Sequence, residues 1–234
     1  MFYEILWYTA VAVTTLVLGR VVYCMLLQPV AVWDKNHPDK TLRTMIVLGS
    51  GGHTAEMMRL MNALRPEVYC PRCYVIAETD ELGVTKATEL EKQIAIRHSK
   101  PSETSQERIL RFVTGFATEF IPRSREVGQS WTSSVFTTGW ACVYAIWVVF
   151  KKRPDVVICN GPGTCIPICF AAALLRVSGL GRGAIIFIES IARVEHLSLT
   201  GKILYKTRIT TLFLVQWEKL AAKLPRARYI DRLM

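Results

Sequence analysis

The chain has 234 residues, 51% of them hydrophobic, and a formal charge of +10. That length holds one domain of ordinary size plus an attachment and excludes two full nucleotide-binding domains. From Gly201 onward eight Lys or Arg stand against only Glu218 and Asp231; without a reader motif or aromatic platform, this excess suits an anionic lipid surface better than nucleic acid.

Residues 5–27 are nearly all apolar, about the 20 residues that a bilayer core requires. The run reads as an uncleaved anchor within residues 1–28 rather than a signal peptide. It is long, lacks a basic start, and has no small-x-small site after Arg20. Arg20 is expected to snorkel toward the headgroups, with Tyr23 at the boundary. Only Glu4 precedes the run, whereas Lys35, Lys40 and Arg43 follow it, so the positive-inside rule puts the rest of the chain in the cytosol. Residues 29–43, with Asn36-His37-Pro38-Asp39, read as a polar linker to a domain over 44–234.

That domain alternates short apolar runs with amphipathic segments. Strands are expected at 45–48, 73–77, 156–159, 184–188 and 212–215, and helices at 53–64, 85–93, 131–150, 165–177 and 218–224. The runs suit strands buried on both faces, and the alternation predicts an α/β fold with one doubly wound, Rossmann-like parallel sheet. Residues 100–106 read as a polar loop. Residues 131–150 are long enough to span a membrane, but a Ser/Thr-rich first half and a strand beginning just beyond Pro154 favour a buried or membrane-surface helix. Seven cysteines, an odd number, with Cys142, Cys159, Cys165 and Cys169 in apolar surroundings, fit a reducing compartment. Cys70-Pro71-Arg72-Cys73 has zinc or redox spacing but no second Cys/His pair, so two structural thiols is the reading taken.

Chemistry concentrates where strands end in glycine. Gly49-Ser50-Gly51-Gly52-His53-Thr54 follows the first strand and opens a helix. Glycines let a backbone approach an anion, and a helix N-terminus offers unpaired N–H groups and a favourable dipole. The dinucleotide fingerprint is only partly matched, because Thr54 stands at the third glycine position, although Glu78 can serve as a ribose acid. Asn160-Gly161-Pro162-Gly163-Thr164 repeats the strand–glycine–helix arrangement, and in a parallel sheet both loops share the ligand-binding edge. A third loop, Glu189-Ser190-Ile191-Ala192-Arg193, falls on the same edge. Glu189 can bind a sugar hydroxyl or take a proton, and Arg193 can pair with phosphate; a Glu189–Arg193 ion pair on a helical turn is the plainer alternative. His53 suits general base, phosphate donor or packed histidine.

These loops, together with Ile188-Glu189-Ser190, Ser198-Leu199-Thr200-Gly201-Lys202 and Val215-Gln216-Trp217, resemble the membrane-anchor subunits of the two-part UDP-N-acetylglucosamine transferases of asparagine-linked glycosylation. The resemblance covers essentially the whole chain. The glycine loops are also similar to the acceptor half of the bacterial lipid-linked peptidoglycan glycosyltransferase. Thr211, where an acid is common, and Asp231, where glycine is common, depart from the pattern.

The resemblance implies the N-terminal, acceptor-side half of a GT-B transferase split between two chains. A soluble partner supplies the half that binds UDP-N-acetylglucosamine. The implied reaction adds the second N-acetylglucosamine, β1,4-linked with inversion, to N-acetylglucosaminyl-diphospho-dolichol at the cytosolic face of the endoplasmic reticulum. It implies neither cofactor nor metal, and a chain inactive alone. On this reading Gly49, Ser50, Gly51, Gly52, His53, Thr54, Asn160, Gly161, Pro162, Gly163 and Thr164 surround the acceptor diphosphate. His53 and Glu189 are the catalytic candidates, and Glu189, Ser190 and Arg193 contact acceptor sugar or phosphate. Tyr229, Ile230, Leu233 and Met234 dock the partner. A non-catalytic membrane scaffold and a tethered dinucleotide-dependent oxidoreductase are the alternatives.

Overall fold

The computed structural model describes residues 2–24, 40–98, 104, 106, 115–122, 131–161 and 163–231. After an N-terminal helix α1 (Phe2–Val22), strands and helices alternate: β1 (Thr44–Val47), α2 (Gly52–Ala63), β2 (Arg72–Ala77), α3 (Glu81–Arg97), β3 (Phe116–Ile121), α4 (Trp131–Lys152), β4 (Val156–Asn160), α5 (Cys165–Val177), β5 (Ala184–Ile188), α6 (Leu199–Thr207), β6 (Leu212–Val215), α7 (Glu218–Ala222) and β7 (Arg228–Tyr229). The strands form one seven-stranded sheet in the order β3-β2-β1-β4-β5-β6-β7. Every pairing is parallel. This is the doubly wound Rossmann-like order, with its switch point between β1 and β4.

Each central strand is buried along its length because it feeds two cores. Met45 and Val47 of β1 face one side and pack with Val148, Ile168 and Leu175 of α4 and α5. Their neighbours Ile46 and Leu48 face the other, with Met57 and Met61 of α2 and Leu90 of α3. The period of two and the two helical layers follow from the same runs of alternately directed apolar side chains.

Three elements go beyond the sequence reading. β3 carries Thr118 and Glu119 at its centre and is only partly buried, so it shows no apolar run; six residues paired with β2 make it a strand. α6 begins where Ser198 accepts from the Gly201 N–H as an N-cap. β7 is two residues long and pairs with β6 at the far edge, so residues 228–229 belong to the sheet. The 100–106 loop is described only at Thr104 and Gln106, and most of the 29–43 linker lies outside the described residues.

Among the described residues one helix, spanning Tyr3–Val22, is long and apolar enough to cross a membrane. It fits a single-pass anchor. Arg20 donates from Nε to the Val177 carbonyl at 3.1 Å, at the end of α5 where carbonyls lack helical donors. α4 packs Ala141, Ala145, Val148 and Val149 into the fold while Phe136, Trp140, Val143 and Trp147 stay exposed. One face is therefore core.

Candidate functional site

The loops after β1 and β4 meet at the switch point. Each turns on a glycine in the left-handed region, Gly51 at φ 63° and Gly161 at φ 63°, where a side chain is strained. At Gly161 the reason is also spatial. A Cβ there would lie 2.3 Å from Cε1 of His53 and 2.6 Å from its Nδ1. The second glycine loop is thus the seat of the histidine in the first turn of α2. The Thr54 hydroxyl donates to the Gly49 carbonyl and closes the first turn on itself.

The loops are cross-linked by polar side chains. Asn160, at the end of β4, donates from Nδ2 to the His53 carbonyl at 2.8 Å and to Glu56 Oε2 at 3.3 Å. The Ser190 hydroxyl, after β5, donates to Glu56 Oε1 at 2.8 Å. Glu56 is absent from the sequence reading. Only its place one turn beyond His53 on α2 could have suggested it.

Glu189 is buried within its own loop. Its side chain is 0% exposed. Oε1 accepts from the Ser190 N–H at 3.1 Å, and Oε2 accepts from the Ser198 N–H and hydroxyl, each at 3.0 Å. Burial raises its carboxyl above the ordinary range, opposed by the Ser198 and Ser190 donors and the charge of Arg193. A Cβ at Gly201 would lie 2.1 Å from Oε2, so that glycine makes room for the carboxylate. Glu189 therefore fastens its own loop to the start of α6. From β6 the loop is braced by Gln216, donating to the Glu189 carbonyl at 3.1 Å, and by Trp217, donating to that of Ile191 at 2.6 Å. Arg193 is exposed beside this turn.

Six buried side-chain polar atoms lack a hydrogen-bond partner among the described residues, and three of them, His53 Nδ1, Asn160 Oδ1 and Thr164 Oγ1, belong to these two loops. Buried polar groups are ordinarily paired, so their clustering makes this edge the candidate place for a polar ligand. Ser50 and Gly163 are exposed beside them. The first turns of α2 and α5 present backbone N–H groups at the same edge, which suits an anion.

Other expected residues lie elsewhere. Pro162, Leu233 and Met234 are outside the described residues. Tyr229 is exposed on β7, and the Ile230 N–H donates to the Val215 carbonyl at 3.0 Å. Cys73 is buried on β2, and burial pushes its thiol up to about 11. Thr211 accepts from Arg176 Nη1 at 3.0 Å, so an acid at that position would form an ion pair with the buried guanidinium.

A family model described as oligosaccharide biosynthesis protein Alg14 like matches residues 44–233. The UDP-N-acetylglucosamine transferase subunit ALG14 of Mus musculus is 44% identical over 197 residues, covering 84% of this chain and 85% of that protein. The subunit of the same name from Homo sapiens is 43% identical over 201 residues, with 84% and 85% covered. Among solved structures, MurG of Acinetobacter baumannii matches with a TM-score of 0.47 and 15% identity, over 75% of this chain and 41% of that one.

Proposed function

Because the chain belongs to the family of Alg14-like oligosaccharide biosynthesis proteins, we propose that it is the membrane-anchoring, acceptor-binding subunit of a two-chain N-acetylglucosamine transferase. The observation that carries the acceptor role is the switch-point crevice: two left-handed glycine turns and three unpaired polar atoms between helix N-termini. Gly49, Ser50, Gly51, Gly52, His53, Thr54, Asn160, Gly161, Pro162, Gly163 and Thr164 would hold the acceptor diphosphate. The described residues form a single sheet, which suits a division of labour in which a soluble partner brings UDP-N-acetylglucosamine as the other half of a GT-B enzyme.

In the proposed reaction the 4-hydroxyl oxygen of N-acetylglucosaminyl-diphospho-dolichol attacks the donor's anomeric carbon. The bond to UDP breaks with inversion, UDP leaves with the bonding electrons, and the hydroxyl proton passes to a base. His53 is the candidate for that base, since the Glu189 carboxylate is engaged by Ser190 and Ser198. Ser190 and Arg193 would flank the acceptor sugar or phosphate. Alone, the chain would be inactive.

Residues 1–28 would be the anchor in the endoplasmic reticulum, 29–43 the linker, and 44–234 a cytosolic domain. The outward apolar side chains of α4 and of Phe170 and Leu174 on α5 would rest on the bilayer, since α1 meets the end of α5 through Arg20. Tyr229, Ile230, Leu233 and Met234 would dock the partner. The test is co-expression with a candidate soluble subunit and an assay of sugar transfer from UDP-N-acetylglucosamine to a lipid-diphosphate acceptor. Transfer by the membrane-bound pair and none by either chain alone is expected; a verified pair that transfers nothing overturns the proposal.

A further inference from the structure

We infer that Glu56 is a positioning residue for the acceptor, tying the three carboxyl-edge loops into one rigid cradle; this rests on the acceptor-binding reading above. Its two oxygens divide between two strands. Oε1 accepts from the Ser190 hydroxyl at 2.8 Å and Oε2 from the Asn160 amide at 3.3 Å. The loops after β4 and β5 are thereby fixed to the helix that follows β1, across the switch point. Asn160 and Ser190 are 2% and 7% exposed, so each link lies where water competes poorly.

The consequence falls on His53 and the second glycine loop. The amide nitrogen held by Glu56 also donates to the His53 carbonyl at 2.8 Å, and the His53 ring lies against the bare Cα of Gly161. Shifting Asn160 shifts the ring and the turn together. The unpaired Asn160 Oδ1 keeps its direction only while Nδ2 is held on both sides. Ser190 is under a similar constraint, since its oxygen also accepts from the Ala192 N–H at 3.3 Å.

Chemistry separates this role from that of a proton acceptor. In Glu56→Gln the side-chain oxygen can accept from Asn160, while its NH2 donates to Ser190, whose hydroxyl turns from donor to acceptor. The bridge survives without the charge. In Glu56→Ala both links are lost. Kinetics are measured on the complex of the full chain with its soluble subunit, varying the lipid-diphosphate acceptor and UDP-N-acetylglucosamine separately.

Glu56→Ala is expected to lower kcat/KM for the acceptor by about 10- to 100-fold, mainly through KM, with the donor KM unchanged. Glu56→Gln should stay within about threefold of the wild type. An unchanged acceptor KM in Glu56→Ala overturns the inference, and so does a Glu56→Gln as impaired as Glu56→Ala, which would make the charge itself the active property. If Glu56→Ala does not accumulate, Glu56→Asp decides: one methylene shorter, it cannot reach both Asn160 and Ser190, so a raised acceptor KM supports the link and an unchanged one overturns it. A wild-type pair without transfer overturns the acceptor reading and this inference with it, whereas an active pair indifferent to Glu56→Ala overturns this inference alone.

Discussion

At the amino edge of the sheet Arg72 donates to both oxygens of Glu91, at 2.5 and 2.7 Å, and to the carbonyls of Pro66 and Tyr69 at 3.0 Å each. Tyr74 completes the set by donating to Glu91 at 2.7 Å. A cavity opens there too, lined by Pro66, Arg72, Glu91 and His98 among others. Its charges are nonetheless committed to one another, down to His98 with Glu67 at 2.9 Å. At the carboxyl edge the arrangement is reversed. Loops are cross-linked with care, yet His53, Asn160 and Thr164 keep buried polar atoms unpaired. A hollow lined by satisfied groups is architecture; unpaired atoms in a cross-linked frame are what the proposed acceptor site rests on.

This contrast can be broken at either edge. The largest effect is expected from Arg72→Ala, which leaves Glu91 buried without its cation. It should cost about 3–5 kcal/mol of stability, read by denaturant unfolding of the membrane-extracted chain, while the surviving folded protein keeps its acceptor KM. A drop in acceptor affinity without a loss of stability would reverse the assignment of the two edges.

Gly161→Ala acts on the opposite edge. Its Cβ, at φ 63° and 2.3 Å from the His53 ring, must displace the imidazole. A displacement near 1 Å is worth about 100-fold in rate, so transfer should fall by that order with assembly of the complex intact. Wild-type turnover in this variant would remove His53 from the site.

Glu189→Gln sharpens the division within the carboxyl edge. A Gln amide must point one NH2 toward the Ser190 or the Ser198 N–H, leaving a buried donor without an acceptor. The expected loss is about 1–3 kcal/mol of stability, seen as a lower unfolding midpoint, with activity per folded molecule kept. Loss of turnover at full stability would restore Glu189 as a catalytic group.

The smallest effect is at Asp155, which accepts from the Arg43 backbone N–H at 3.0 Å and from its guanidinium at 3.1 and 3.2 Å. Burial opposes the Asp155 charge, but these bonds outweigh it and hold the carboxyl below its ordinary value. The stabilisation is therefore present above the unfolded pKa, about 3.9, and is lost as pH falls through the lowered folded value. With Arg43 half-exposed and screened by solvent, it amounts to about 0–1 kcal/mol. Asp155→Asn should flatten this acid limb of the stability profile and leave neutral-pH turnover unchanged.

The sequence by itself determined the alternation of strands and helices, the helix fit to cross a membrane, and the two glycine turns. Each is written in a few consecutive residues: apolar runs bounded by Gly and Pro, about 20 nearly all apolar positions, and glycines where φ must be positive. Tertiary structure decided what such local patterns do not encode. β3 and β7 owe their strand character to pairing with β2 and β6, since their own residues are too polar or too few. Arg20 found a partner at the end of α5, 157 residues away. Glu189 turned inward because Ser198, nine residues on, offered two donors. Glu56 entered the site through partners 104 and 134 residues away. A hydrogen bond selects its partner by distance in space, and that distance exists only once the sheet has brought the strand ends together.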